Sequence, residues 1–215
     1  MENTEDLSKQ VKNKSILESI SPEMALQMMK EGNQRFVSKD MIEREHDWHI
    51  RETIDSQHPY AIVLGCIDSR VEPSIIFDQG IGDLFIARIA GNIINQDILG
   101  SMEYACAVSG SKLVLILGHT SCGAVKGAID NVILDNLSPS LRHIQLAMER
   151  VKTVDGFDRS TKNLEFVDIV ATKNVEQSIN DVKTQSPILR NLEKEGKIMI
   201  AGAIYDHSTG KVNFC

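Results

Sequence analysis

Two runs in the 215-residue sequence leave little freedom in what the chain can fold into. Tyr60 to Gly65 (YAIVLG) and Leu113 to Gly118 (LVLILG) are nearly continuous apolar segments, each ended by a glycine. A strand with one wet face alternates apolar and polar residues; a short unbroken apolar run marks a strand covered on both faces, as in a parallel sheet between helices. Leu84 to Arg88 (LFIAR) reads as a third strand and Lys197 to Tyr205 (KIMIAGAIY) as a further one. Asp206 to Gly210 then turns the chain into a last strand, Lys211 to Phe214.

Helical patterns lie between these strands. Ser21-Pro22-Glu23 opens a helix with Ser as N-cap and Pro at its first position, carrying Leu26, Met29 and Phe36 on roughly one face. A second starts near Asp97 and turns Ile98, Leu99, Met102 and Cys106 inward. Leu164 to Val182 repeats Val167, Ala171, Val175 and Ile179 at four-residue spacing, and Ser186-Pro187 begins a further helix that Gly196 ends. The expectation is an α/β fold with a mostly parallel central sheet flanked by helices and an antiparallel edge strand at the C-terminus.

No Pro/Gly/Ser-rich stretch or charge block divides the chain, so residues 1–215 read as a single domain, with disorder expected in no more than the first dozen or so residues. A net charge of -7 argues against a nucleic-acid partner, which needs clustered Lys and Arg. The opening MENTEDLSKQVKNKS has no apolar segment, and no run approaches the roughly 20 apolar residues of a membrane helix, so a cytoplasmic protein without membrane contact is expected. In that compartment Cys66, Cys106, Cys122 and Cys215 serve metal binding, catalysis or packing rather than disulfides.

Open α/β sheets bind ligands beyond the carboxyl ends of their strands, where neighbouring connections diverge. If the 84–88 strand lies on one side of 60–65 and the 113–118 strand on the other, that crevice opens just past Gly65 and Gly118. The residues waiting there are Cys66-Ile67-Asp68-Ser69-Arg70 and His119-Thr120-Ser121-Cys122-Gly123. Two thiolates and an imidazole are a three-ligand set for zinc, and three protein ligands with one open position distinguish a catalytic zinc from a structural one. His119 and Cys122 stand three apart, so a turn running into a helix brings both to one side while Cys66 arrives from the adjacent strand. Taken singly, each residue has a bland reading: small core cysteines, a satisfied histidine, a surface ion pair. Five of them converging on one sheet edge favour a metal site.

The pairing of C-x-D-S-R with H-x-x-C closely resembles the β-class carbonic anhydrases. The resemblance extends to Gly32-Asn33-Gln34-Arg35-Phe36, Gln57 and Pro59, Arg88-Ile89-Ala90-Gly91-Asn92, Glu103-Tyr104-Ala105 and Gly202 to Val212 (GAIYDHSTGKV), covering about 190 residues. It implies one zinc ion per chain held by Cys66, His119 and Cys122, with Asp68 and Arg70 as a catalytic dyad and Asp68 able to become a fourth ligand in a closed state. It implies a pocket of Gln57, Phe85, Tyr104 and Gly123, with Gln57 reaching into a neighbour's site. An N-terminal helical arm over about 1–55 packing on a partner subunit, and hence a homodimer or larger homo-oligomer, follow from the same likeness. The activity implied is reversible hydration of carbon dioxide to bicarbonate and a proton by zinc-activated hydroxide.

Within that resemblance the residues divide the labour. Two thiolates leave the metal nearly neutral and less acidifying than three imidazoles would, so Asp68 is expected to orient the attacking oxygen while Arg70 forks the carboxylate away from the metal. A proton must also leave, and His46, His49, His58, His143 and His207 are equivalent candidates to carry it. Ile89 stands where many members have Asn, and Val63 where bicarbonate-inhibited members have Trp, which points to the unregulated subtype. The competing readings are a carbonyl sulfide or carbon disulfide hydrolase on the same scaffold and a non-catalytic zinc or redox-sensing module; the complete dyad argues against the second.

Overall fold

The computed structural model describes residues 4–215; of the expected N-terminal arm and single domain, residues 1–3 lie outside the described residues. Two short helices, α1 (Thr4–Lys9) and α2 (Lys14–Ser19), precede α3 (Pro22–Ser38), and α4 (His46–Glu52) follows. The start of α3 is set locally, since Ser21 caps it by accepting from Met24 N at 3.2 Å and Pro22 occupies its first turn. Strand β1 (Ala61–Gly65), helix α5 (Pro73–Ile76) and strand β2 (Leu84–Arg88) come next, then a 3-10 turn over Ala90–Asn92 and α6 (Gln96–Glu103), which runs on as a π-helical turn over Tyr104–Val108. Strand β3 (Leu113–His119) leads to α7 (Gly123–Ile129), α8 (Ser138–Glu149), α9 (Leu164–Gln185), α10 (Pro187–Lys194), β4 (Met199–Tyr205) and β5 (Val212–Phe214).

The sheet runs β2-β1-β3-β4-β5, parallel throughout except for the β4–β5 pair. The chain therefore leaves β1 toward β2 on one side and takes up β3 on the other, with Gly65 beside Leu117 and His119 beside Tyr205. Because side chains alternate along a strand, each strand feeds two cores. Ala61 and Val63 with Leu113, Leu115 and Leu117 pack under α1, α2 and α3, where Leu7, Leu17, Met28 and Met29 are buried. Ile62 and Leu64 with Val114 and Ile116 pack under α6, α9 and α10, against Met102, Val175 and Leu189. Each such Val, Leu, Ile or Met side chain contributes about 1.5–3 kcal/mol by leaving water. Ile89, at the position where an amide was expected, packs apolar surface between this second core and a third one under α7 and α8.

Candidate metal centre

Cys66 is the first residue after β1, His119 the last of β3, and Cys122 the residue that precedes α7. All three are buried, and their ligand atoms lie within 4.8 Å of one another. The His119–Cys122 connection requires an unusual backbone: Ser121 has φ of 54°, a left-handed conformation. It is held there by Asp168 on α9, whose Oδ1 accepts from Ser121 N at 2.8 Å. On the other side, Arg88 at the end of β2 donates from Nε to the Cys66 carbonyl at 2.9 Å and from its terminal nitrogen to the Asp68 carbonyl at 2.6 Å. The Cys66–Asp68 turn is thus fastened by a guanidinium, and Gly91 N adds a 3.4 Å contact to Cys66 Sγ.

The chemistry of the donor set fits a soft divalent cation such as zinc. His119 Nδ1 faces the Thr120 carbonyl at 3.0 Å and His207 Nε2 at 2.9 Å. Its Nε2 is buried with no hydrogen-bond partner, an arrangement that costs free energy unless something else takes the lone pair. Cys66 is drawn down to about 4, chiefly by the Cys122 thiol, which hydrogen-bonds its thiolate, and then by His119. Cys122 is pushed up by the Cys66 thiolate and by burial. A divalent cation between the two sulfurs would favour the thiolate form of both. Among the described residues the cluster contains no fourth Cys or His.

Asp68 lies beside this cluster, within 4.8 Å of His119 and His207 donor atoms. Arg70 grips it bidentately, Nε to Oδ1 at 2.9 Å and a terminal nitrogen to Oδ2 at 2.7 Å, with Arg70 N adding 3.0 Å to Oδ1. This fork holds the carboxyl well below the usual carboxylate range. The four residues expected to line a pocket are dispersed more widely. Phe85 and Tyr104 meet edge to face at 6.1 Å and line an open cavity of about 750 Å³ together with Arg88. Gln57 is exposed on the segment before β1, and Gly123 is exposed at the start of α7; neither lines that cavity. Of the five histidines that could not be separated by sequence, the structure brings only His207 to the centre, while His49 is buried against the Ile81 carbonyl. Arg88 and Asp168 had no assigned role at the site in the sequence pattern, and His207 only that of one among five candidate proton carriers, because each acts on a segment distant in the chain.

The sequence model of the family described as carbonic anhydrase matches residues 61–212, from the start of β1 to the start of β5. This chain belongs to the carbonic anhydrase family. Its relatives include carbonic anhydrase 2 of Mycobacterium tuberculosis, 34% identical over 198 residues that span 89% of this chain and 91% of the relative. The carbonic anhydrase of Mycolicibacterium smegmatis is 34% identical over 193 residues, spanning 89% and 92%. Among solved structures, the β-carbonic anhydrase CafA of Aspergillus fumigatus matches with a TM-score of 0.70 at 27% identity, covering 90% of this chain and 89% of that one. The β-carbonic anhydrase CcaA matches at 0.68 and 25%, covering 88% and 91%. The α/β sheet with its antiparallel edge strand is therefore the β-class architecture, and the family expected from C-x-D-S-R and H-x-x-C is the family found.

Proposed function

We propose that this chain catalyses the reversible hydration of carbon dioxide to bicarbonate and a proton, with one zinc ion held by Cys66, His119 and Cys122. The observation that carries the reading is a conjunction at one sheet edge. Three buried soft ligands without a fourth stand next to a carboxylate that Arg70 fixes in place. A structural site has no use for the second feature.

Zinc, when bound, supplies Lewis-acid activation of a water molecule. The rest falls to the chain. Asp68, kept ionised by Arg70, accepts a hydrogen bond from the attacking oxygen and aims its lone pair at the substrate carbon. Arg70 at the same time occupies both carboxylate oxygens, and so would keep Asp68 from becoming a further ligand to a bound zinc. Carbon dioxide is small and nearly apolar, and the Phe85–Tyr104 edge-to-face pair offers it an apolar wall. Gln57 and Gly123 complete the pocket in an assembled homo-oligomer, Gln57 being supplied by the neighbouring subunit. In the N-terminal segment to residue 55, α1 to α3 bury Leu7, Leu17 and Met28 on their own sheet, while Trp48, Ile50 and Ile54 in and after α4 remain outward for that neighbour. Val63 is wholly buried in the core, which suits the subtype that bicarbonate does not inhibit. No helix among the described residues is long and apolar enough to cross a membrane, in keeping with a cytoplasmic setting.

Metal analysis with stopped-flow hydration assays tests the reading. One zinc per chain and carbon dioxide hydration that rises toward alkaline pH are expected. Negligible hydration alongside fast sulfide release from carbonyl sulfide would replace it with the hydrolase on the same scaffold.

A further inference from the structure

We propose that His207 is a positioning residue for the metal-binding imidazole, its Nε2 accepting the hydrogen on His119 Nδ1 and so holding His119 Nε2 toward the sulfurs of Cys66 and Cys122. The inference rests on the zinc reading and goes beyond it, because nothing in the ligand set requires a second histidine. The tautomer follows from the neighbours. The Thr120 carbonyl, 3.0 Å from His119 Nδ1, can only accept, so Nδ1 carries the hydrogen. His207 Nε2, 2.9 Å from the same nitrogen, must then present a lone pair, and His119 Nε2 is left bare, buried and without a partner. That bare nitrogen is the state a metal ligand needs.

His207 is itself held in place. It follows β4, two residues past Tyr205, which lies in register with His119. Its backbone N donates to Thr120 Oγ1 at 3.1 Å, and Thr120 N donates to the Tyr205 carbonyl at 3.0 Å. The ring stands edge-on to His119 at 4.9 Å and to Tyr205 at 5.2 Å. Asp206 fixes the following turn by accepting from Ser208 and Thr209. Both acceptors of the His119 hydrogen are thereby anchored at the β3–β4 ends. A metal-ligating histidine whose second nitrogen is held in this way loses little freedom on binding and is the stronger ligand.

The test compares the zinc-loaded wild type with His207→Phe and His207→Gln. Zinc affinity is read by competition with a chromophoric chelator, ligand geometry by the visible spectrum after cobalt exchange, and the fold by melting of the metal-free proteins. His207→Phe keeps the ring but removes the acceptor; it should weaken zinc binding about 10- to 100-fold and shift the cobalt bands, while His207→Gln, whose carbonyl oxygen can accept the same hydrogen, stays within about threefold of wild type. Matched metal-free melting in all three supports positioning over packing. Wild-type zinc affinity and cobalt spectrum in His207→Phe would overturn the inference, as would equal losses in Phe and Gln variants that also melt lower without metal. Should the Phe variant not fold, His207→Ala takes its place against Gln with the same outcomes. A wild type that binds no zinc would overturn the zinc reading itself, whereas tight zinc binding by wild type and His207→Phe alike overturns the inference alone.

Discussion

Removing a sulfur from the centre and removing the charge beside it separate holding the metal from using it. Cys122→Ala should lose both bound zinc and hydration, because only Cys66 and His119 would remain of the three-ligand set. Asp68→Asn should keep the zinc and lower kcat/KM on the order of 10²-fold near neutral pH, the scale of a group that handles a proton in the transition state. Full activity in that variant would remove Asp68 from the mechanism. Arg70→Ala makes the opposite test: Asp68, released from its fork, is free to turn to the metal, so activity should fall while zinc is retained, and the cobalt-exchanged protein should show an added oxygen ligand. An unchanged cobalt spectrum would show that Arg70 does not restrain the carboxylate. The Asp68–Arg70 pair was legible in the sequence because its members are two residues apart. His207 was not distinguishable from four other histidines, since the contact that defines it crosses 88 positions. The same holds for Asp168, 47 positions from Ser121.

Elements reveal themselves when one local signal dominates. β1, β3 and β4 are buried on both faces, so hydrophobicity alone marked them, and Ser21-Pro22 and Ser186-Pro187 marked the starts of α3 and α10. α1 and α2 fall inside the expected N-terminal helical arm but left no separate mark, because each shows mostly polar residues and anchors itself by one or two buried side chains, such as Leu7 and Leu17. The π-helical turn after α6 left no pattern to find, since it widens an otherwise ordinary helical run. Glycines separate packing from chemistry at this scale. A Cβ on Gly32 would stand 1.8 Å from the Phe77 carbonyl oxygen, where backbone rather than a movable side chain blocks it. Gly32→Ala should therefore destabilise the protein by about 3 kcal/mol or more, at the upper end of overpacking, as read by urea unfolding. Gly123→Ala, with nothing within 4 Å, should unfold at the wild-type midpoint or above it. A wild-type midpoint for Gly32→Ala would mean that α3 sits farther from the Phe77 segment than the structure places it.

Across the whole molecule, two polar fastenings sit at opposite ends of the parallel strands. The proposed metal ligands gather at the carboxyl ends of β1 and β3. At the amino ends, Lys12, just after α1, pairs with Asp83, just before β2, at 2.9 Å with both side chains almost wholly excluded from solvent. Asp83 also accepts from Gly80 N, and its carbonyl accepts from Tyr60 N at the entrance to β1. Burial lowers the Lys12 pKa against the opposing pull of Asp83. Removing one member leaves the other buried and uncompensated, a loss of about 3–5 kcal/mol. Asp83→Asn should accordingly lower the urea midpoint strongly while leaving zinc affinity nearly unchanged, because the two fastenings share no contact. Stripping zinc should do the converse: abolish hydration and lower the melting temperature by the linkage a tightly bound ion imposes, with both restored on adding zinc back. Combining the two changes then becomes informative. If the fastenings act independently, the stability lost on zinc removal will be the same in Asp83→Asn as in wild type. A markedly smaller loss in the variant would show that the N-terminal helices and the metal centre are coupled through β1, whose Gly65 end carries Cys66 and whose Ala61 end abuts Tyr60.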